Sequence, residues 1–321
     1  MPLLAALCAL ACVTGCTAQG GIGLAKVTFQ RTTIPAASGD GGAPVADSGG
    51  TAFAAANLRT VDPCALLDAD TLAPLGDPAD PTPIGFGECD ADMSDSGGND
   101  LDVTITLGDE LSSRGATTTV DGLPVSEEHD DSDCAERIIT QQNPTLAVTV
   151  DVDYADHDAC GAARKLIDPI VRRIRLDPPR LSPADAKLAA IDPCGTVDGP
   201  TVTAAIGADP DRSLEGLFKC DWDDNSLELS VAFTVDGDPA GDDSEGTPKP
   251  VSIDGIGAYQ VASTDVFPSC AVRWKVAPAA DDEFQQVDVE FDDIEDQHLD
   301  TCAKADAVAG VVAGKVPRPT A

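Results

Sequence analysis

The chain has 321 residues, 56 of them acidic and 20 basic, for a formal net charge of −36 at pH 7. A surface this acidic excludes nucleic acid as a partner, because binding a phosphate backbone takes clustered Lys and Arg. It also repels anionic headgroups, so membrane attachment has to come from a lipid anchor, and with aromatics at 4% any core is built from Val, Leu, Ile and Ala.

The first element is a short uncharged apolar run over residues 3–13, the length of a signal-peptide core and too short to cross a bilayer. Val13-Thr14-Gly15-Cys16 closes it and resembles the bacterial lipobox, in which an aliphatic residue and two small ones precede a cysteine that is acylated and becomes the mature N-terminus. The expectation is a lipoprotein signal peptide over 1–15 with lipidation at Cys16; an ordinary secretory signal cleaved nearby is the alternative. Residues 16–57 are rich in Gly, Ala, Ser and Thr, with no acid before Asp40, and read as a flexible tether. About 40 such residues span roughly 35 Å as a random coil. Val27-Thr28-Phe29 is a candidate strand within it.

A cysteine pattern then occurs twice. Asp62-Pro63-Cys64 is followed by Gly76, Cys89, Cys134 and Cys160; Asp192-Pro193-Cys194 is followed by Gly207, Cys220, Cys270 and Cys302. The gaps between cysteines are 24, 44 and 25 residues in the first copy and 25, 49 and 31 in the second. These landmarks predict two tandem domains, over 58–176 and 188–317, joined by a stiff Pro-rich linker at 177–187 and ending in a tail at 318–321.

In the first copy Asp62 is placed to cap a helix with Pro63 at its first position. Pro74 breaks the adjoining Leu-rich segment into two short helical turns. Leu101–Leu107 alternates apolar and polar as a half-buried strand does. Thr117–Val120 precedes an Asp121-Gly122 turn, and Arg137–Thr140 and Leu146–Val152 form a strand pair around Gln142-Asn143-Pro144. Ala159–Arg175 is helical, with Arg172, Arg173 and Arg175 in the last turn, where cations complement the helix dipole. The second copy repeats the order with strands at Leu227–Val235, Ala271–Val276 and Gln286–Phe291, a turn at Asp254-Gly255 and a closing helix at Asp300–Val312. The fold expected is α+β: two homologous domains, each an antiparallel sheet flanked by an N-terminal and a C-terminal helix and held by two disulfides.

Of 11 cysteines, Cys8 and Cys12 leave with the signal peptide and Cys16 takes the lipid, so eight remain, four per copy. An even set in an exported chain reads as a disulfide framework. Four cysteines allow three connectivities; the sequential one is favoured, Cys64–Cys89, Cys134–Cys160, Cys194–Cys220 and Cys270–Cys302. No Cys-x-x-Cys occurs, so neither a zinc knuckle nor a thioredoxin-type motif is indicated.

The Asp-Pro-Cys starts, Leu66-Leu67, the glycine some dozen residues on, Cys220-Asp221-Trp222 and the Cys-led final helix, together with the lipobox, resemble the actinobacterial lipoprotein family named "domain of unknown function 3558". In layout the chain is also similar to the extracellular sensor domains of actinobacterial serine/threonine kinases. The second copy fits better, since Ala91 and Ile138 stand in the first where Trp222 and Trp274 stand in the second. The resemblance implies an envelope location and ligand sensing or binding, and no catalytic residue.

The three histidines, His129, His157 and His298, read as solvated residues rather than acid–base groups. Asp90, Asp92, Asp95, Asn99 and Asp100 form one oxygen-rich loop and Asp236, Asp238, Asp242 and Asp243 another. Neither has EF-hand spacing, and in a chain with 45 aspartates some clusters are inevitable. No cofactor, metal or catalytic residue is therefore assigned. The expected function is that of an extracytoplasmic, lipid-anchored (or else secreted) protein that binds or senses an envelope ligand or protein without catalysis, in a cleft within or between its domains. A structural or interaction module with no small-molecule site is the alternative, which a closed, packed interdomain surface favours. An envelope hydrolase ranks third and requires a polar pocket of converging carboxylates.

Overall fold

The computed structural model describes residues 50–319, apart from 79, 112–114, 242–245, 265 and 280–281. Cys16, the signal peptide, the candidate strand at Val27–Phe29 and two acids of the second loop, Asp242 and Asp243, lie outside the described residues.

The first described element corrects the tether boundary. Gly50–Phe53 forms a 3-10 turn and α1 (Ala55–Leu58) follows, with Phe53 and Leu58 buried in the first core. One Phe in a Gly/Ala/Ser/Thr-rich stretch anchors it, so among the described residues packed structure is already present at Gly50–Phe53, inside the stretch read as tether. The Asp62-Pro63 start forms α2 (Pro63–Leu66), with the Asp62 carboxylate accepting from the Ala65 N–H, and Asp68 caps α3 (Ala69–Leu72) in the same way. Gly76 is required by proximity, since a Cβ there would sit 2.1 Å from the Ser94 carbonyl oxygen.

Eight strands come next: β1 (Asp77–Pro78), β2 (Thr82–Gly85), β3 (Glu88–Ser94), β4 (Asp100–Glu110), β5 (Thr118–Val120), β6 (Leu123–Asp130), β7 (Asp133–Gln142) and β8 (Thr145–Asp153). They form one antiparallel sheet in the order β1-β3-β4-β8-β7-β6-β5, with β2 also paired to β3. Asp121 and Gly122 both have positive φ, the turn type whose twist suits a two-residue hairpin. The helix α4 (Ala159–Leu176) packs on β7 and β8 through Ala162, Ala163, Leu166, Ile167, Ile170, Val171 and Ile174, an apolar stripe at helical spacing.

The predicted linker is not free-standing. Val61 and Arg180 form an antiparallel bridge, the Asp62 N–H donates to Pro179 O and the Leu181 N–H to Thr60 O. α5 (Ala186–Ala189) comes next, and the second Asp-Pro-Cys begins a 3-10 turn, Pro193–Gly195, rather than an α-helix; α6 (Gly199–Ala205), capped by Asp198, lies beyond it. The second sheet comprises β9 (Asp211–Glu215), β10 (Lys219–Asp223), β11 (Leu227–Asp236), β12 (Lys249–Ile253), β13 (Ile256–Ser263), β14 (Ser269–Pro278) and β15 (Phe284–Asp293). Its order, β9-β10-β11-β15-β14-β13-β12, repeats the path β3-β4-β8-β7-β6-β5 of the first sheet, with β9 paired to β10 as β2 is to β3, and α7 (Thr301–Ala313) lies on β14 and β15.

Four disulfides pair the cysteines in sequence order: Cys64–Cys89, Cys134–Cys160, Cys194–Cys220 and Cys270–Cys302. Each ties a helical segment to a strand. Trp222 and Trp274 are buried in the second core, while Ala91 and Ile138 line the first. Phe53, arriving from the N-terminal side, supplies aromatic volume there.

Candidate functional site

In each half the turn before the second cysteine reaches into the other half. In the first it reads Gly85-Phe86-Gly87-Glu88-Cys89 and in the second Gly216-Leu217-Phe218-Lys219-Cys220. Leu217 is 1% exposed and belongs to the first core, whereas Phe86 packs against the second. Phe86 stacks on Phe218, the residue after Leu217, with ring centroids 5.3 Å apart. The backbone anchors each turn within its own half in the same way: the Leu107 N–H donates to Gly87 O and the Phe233 N–H to Phe218 O, both at 2.8 Å.

Two glycines permit this approach. Gly108 has φ +83° and lies at an irregularity in the β4–β8 register; a Cβ on it would sit 2.1 Å from Leu217 Cγ. Gly87 has φ +75°, and a Cβ there would lie 2.8 Å from Phe218 Cε2. Positive φ and close contact both demand glycine. Arg59, 5% exposed, fixes the junction from behind, its Nε donating to Leu217 O at 2.9 Å and its Nη2 to Asp192 Oδ1 at 3.0 Å.

Above this packed floor the halves leave a cleft of about 960 Å³. The first half contributes Glu88, Asp109 and Glu110 to its walls, and the second Glu215, Asp221, Asp223 and Glu228. Among the described residues lining it, Lys219 is the one cation. Burial, then the Asp109 charge, pushes Glu88 above the ordinary carboxylate range, and burial, then Glu215, does the same to Glu110. Asp221 is pushed up to about 6, chiefly by burial, with Lys219 opposing and Glu215 adding to the rise. Burial disfavours the Lys219 ammonium, but its hydrogen bond to Glu215 and the Asp221 charge 3.3 Å away more than offset this and hold it protonated. The walls are therefore partly dehydrated carboxylates with too few cations of their own, an arrangement that favours a positively charged guest.

Asp221 sets a pH dependence. Its folded-state pKa, about 6, lies above the unfolded value of 3.8, so its contribution to stability is fully present below pH 4 and is lost as pH rises through 6. Urea unfolding of wild type and Asp221→Asn at pH 4 and pH 7 is expected to show wild type losing up to about 2 kcal/mol relative to the variant between the two. Parallel behaviour would mean that Asp221 is hydrated.

The sequence-selected loops have other duties. Asp95 accepts from the N–H groups of Gly97 and Asn99, from the Asn99 side chain and from the Tyr154 hydroxyl, and these bonds hold its pKa far below the usual range. Asp90 accepts from Thr104, Asp100 from Ser94, Asp236 from the Gly237 N–H, and Asp238 from the Ala240 N–H and Lys275. These acids close turns and hairpins. His157 stacks on Tyr154 and His298 contacts Asp296 at 3.0 Å, both exposed. His129, also exposed, lies on β6 beside the Cys134–Cys160 bond.

None of the cleft acids was selected from sequence. The available signal was positional: in both copies a Gly-containing turn with a large apolar residue ends on a charged residue directly before the second cysteine. No described helix is long and apolar enough to cross a membrane. The chain matches no protein-family model, no curated protein and no solved structure.

Proposed function

We propose that this chain is an extracytoplasmic lipoprotein, anchored through Cys16, that binds a cationic envelope ligand or a basic segment of an envelope protein between two homologous domains and performs no catalysis. The observation that carries the reading is the cleft itself, whose floor is packed and whose walls carry seven carboxylates against one lysine among the described residues. Four disulfides fit an oxidising compartment. Two sheets of matching strand order, each tied by two disulfides and covered by one long helix, support descent from one duplicated domain. The resemblance to the "domain of unknown function 3558" lipoproteins and to kinase sensor domains agrees with an envelope role.

A purely structural or interaction module is the second reading, supported by the reciprocal packing of Leu217, Phe86 and Phe218. A hydrolase is the third. The cleft meets the condition set for it, since a carboxyl protonated up to about pH 6 beside other carboxylates is an acid–base arrangement.

A polyamine probe separates these readings. At constant ionic strength, spermidine at roughly 100 times its Kd is expected to stabilise the wild-type chain by about 2.7 kcal/mol. The same addition to a Glu215→Gln, Asp221→Asn variant is expected to give little. An equal rise in both would place the polyamine on the general acidic surface and remove the cleft from the account. Cleavage of an envelope polymer by wild type and not by the variant would favour the hydrolase.

A further inference from the structure

The first half carries a cluster that has no counterpart among the described residues of the second. A ring nitrogen of His129 and the sulfurs of Cys134 and Cys160 all lie within 4.8 Å of one another. His129 and Cys134 are direct cross-strand partners on β6 and β7, and Cys160 sits in the first turn of α4. His129 Nδ1 lies 3.1 Å from Asp133 O. A neutral imidazole donating there keeps its lone pair on Nε2, the way a backbone carbonyl orients a metal-ligating histidine. One step along the same two strands, Glu127 faces Glu136. Glu136 is 1% exposed, its Oε1 lies 3.4 Å from Arg164, and its carboxyl is hydrogen-bonded to that of Glu127. In the second half the register places Ala262 opposite Cys270 and Gln260 opposite Val272, so that histidine and both carboxylates are replaced.

We infer that Cys134, Cys160 and His129 form a latent site for a zinc-like divalent cation, closed while the disulfide stands and opened by reduction. In the opening step a dithiol reductant gives two electrons and two protons to the Cys134–Cys160 bond, yielding two thiols and the oxidised reductant. The metal then takes both sulfurs as thiolates and releases two protons. Two sulfurs and one imidazole suit a borderline-soft tetrahedral cation, with one position left for water or a carboxylate. Cys134 is buried, Cys160 half-buried and His129 exposed, so the approach from solvent is at Cys160 and His129. Disulfide and metal are then alternative ties between α4 and β7, and the second half has only the disulfide.

The test is cobalt titration of the full chain with Cys8, Cys12 and Cys16 replaced by serine, before and after reduction by a phosphine. The expected result is the ligand-field spectrum of tetrahedral thiolate-bound Co²⁺, at one equivalent, only after reduction. His129→Ala is expected to lose it, and Ala262→His, which places an imidazole opposite Cys270, to add a second equivalent. Far-UV circular dichroism of the same samples reports folding. The same cobalt spectrum from reduced wild type and reduced His129→Ala, or no added equivalent in Ala262→His, overturns the inference.

Discussion

Gly108→Ala is expected to destabilise the chain by about 2–4 kcal/mol, the sum of a Cβ forced into positive φ and overpacking against a fixed neighbour. The built Cβ lies 2.1 Å from Leu217 Cγ and 2.7 Å from its Cδ1. Leu217 has little room to retreat, because it is 1% exposed and its carbonyl accepts from Arg59. Leu217→Ala alone is expected to cost about 2–5 kcal/mol as a large-to-small core change. The double variant is the decisive one. Removing the leucine vacates the space that the new methyl needs, so its cost is expected to fall about 1–3 kcal/mol below the sum of the singles. Urea unfolding of the four proteins measures this, and strict additivity would mean that the two halves are not in contact at this point.

The second large effect is the loss of a disulfide. The bonds close loops with sequence separations of 25, 26, 26 and 32, and the chain-entropy argument gives each roughly 3.5 kcal/mol. The separations are too alike to rank them, but their positions do. Cys89 and Cys220 directly succeed Glu88 and Lys219 at the cleft, whereas Cys134–Cys160 and Cys270–Cys302 hold the long helices. Alanine at both Cys194 and Cys220 is therefore expected to destabilise the fold and also to speed hydrogen exchange at the Phe233 amide, which donates to Phe218 O. Alanine at both Cys270 and Cys302 is expected to cost similar stability while leaving that amide protected relative to global unfolding. Equal acceleration in both variants would show that the cleft disulfide does not position the turn.

Much of the fold is written locally. The Asp cap at Asp62, the alternation along β4, the Asp-Gly hairpin turns and the apolar stripe of α4 all depend on neighbours within a few residues, which is why they can be read from sequence. β6 is harder. Its Ser-Glu-Glu-His-Asp run has no apolar alternation to mark a strand, yet Leu123 and Val125 are buried and Glu127 and Glu128 find Arg164 and Arg137 across the fold. Phe53 was hidden in the same way, as one apolar side chain in a polar, flexible composition whose partners lie on α4 and in the first core. The cleft was least legible. Glu88 and Lys219 are ordinary charges until two turns 131 residues apart in the chain meet, and a raised carboxyl pKa is a property of that meeting, not of any motif.

The central claim, that the cleft holds a cationic guest, is tested most directly by native mass spectrometry of the chain recovered from its host's envelope, beside the Glu215→Gln, Asp221→Asn variant. The account predicts an added mass on the wild-type protein that disappears on denaturation and is missing from the variant. A bare polypeptide mass for both, eight protons below the reduced chain for the four disulfides, would contradict it and leave a structural or protein-interaction role.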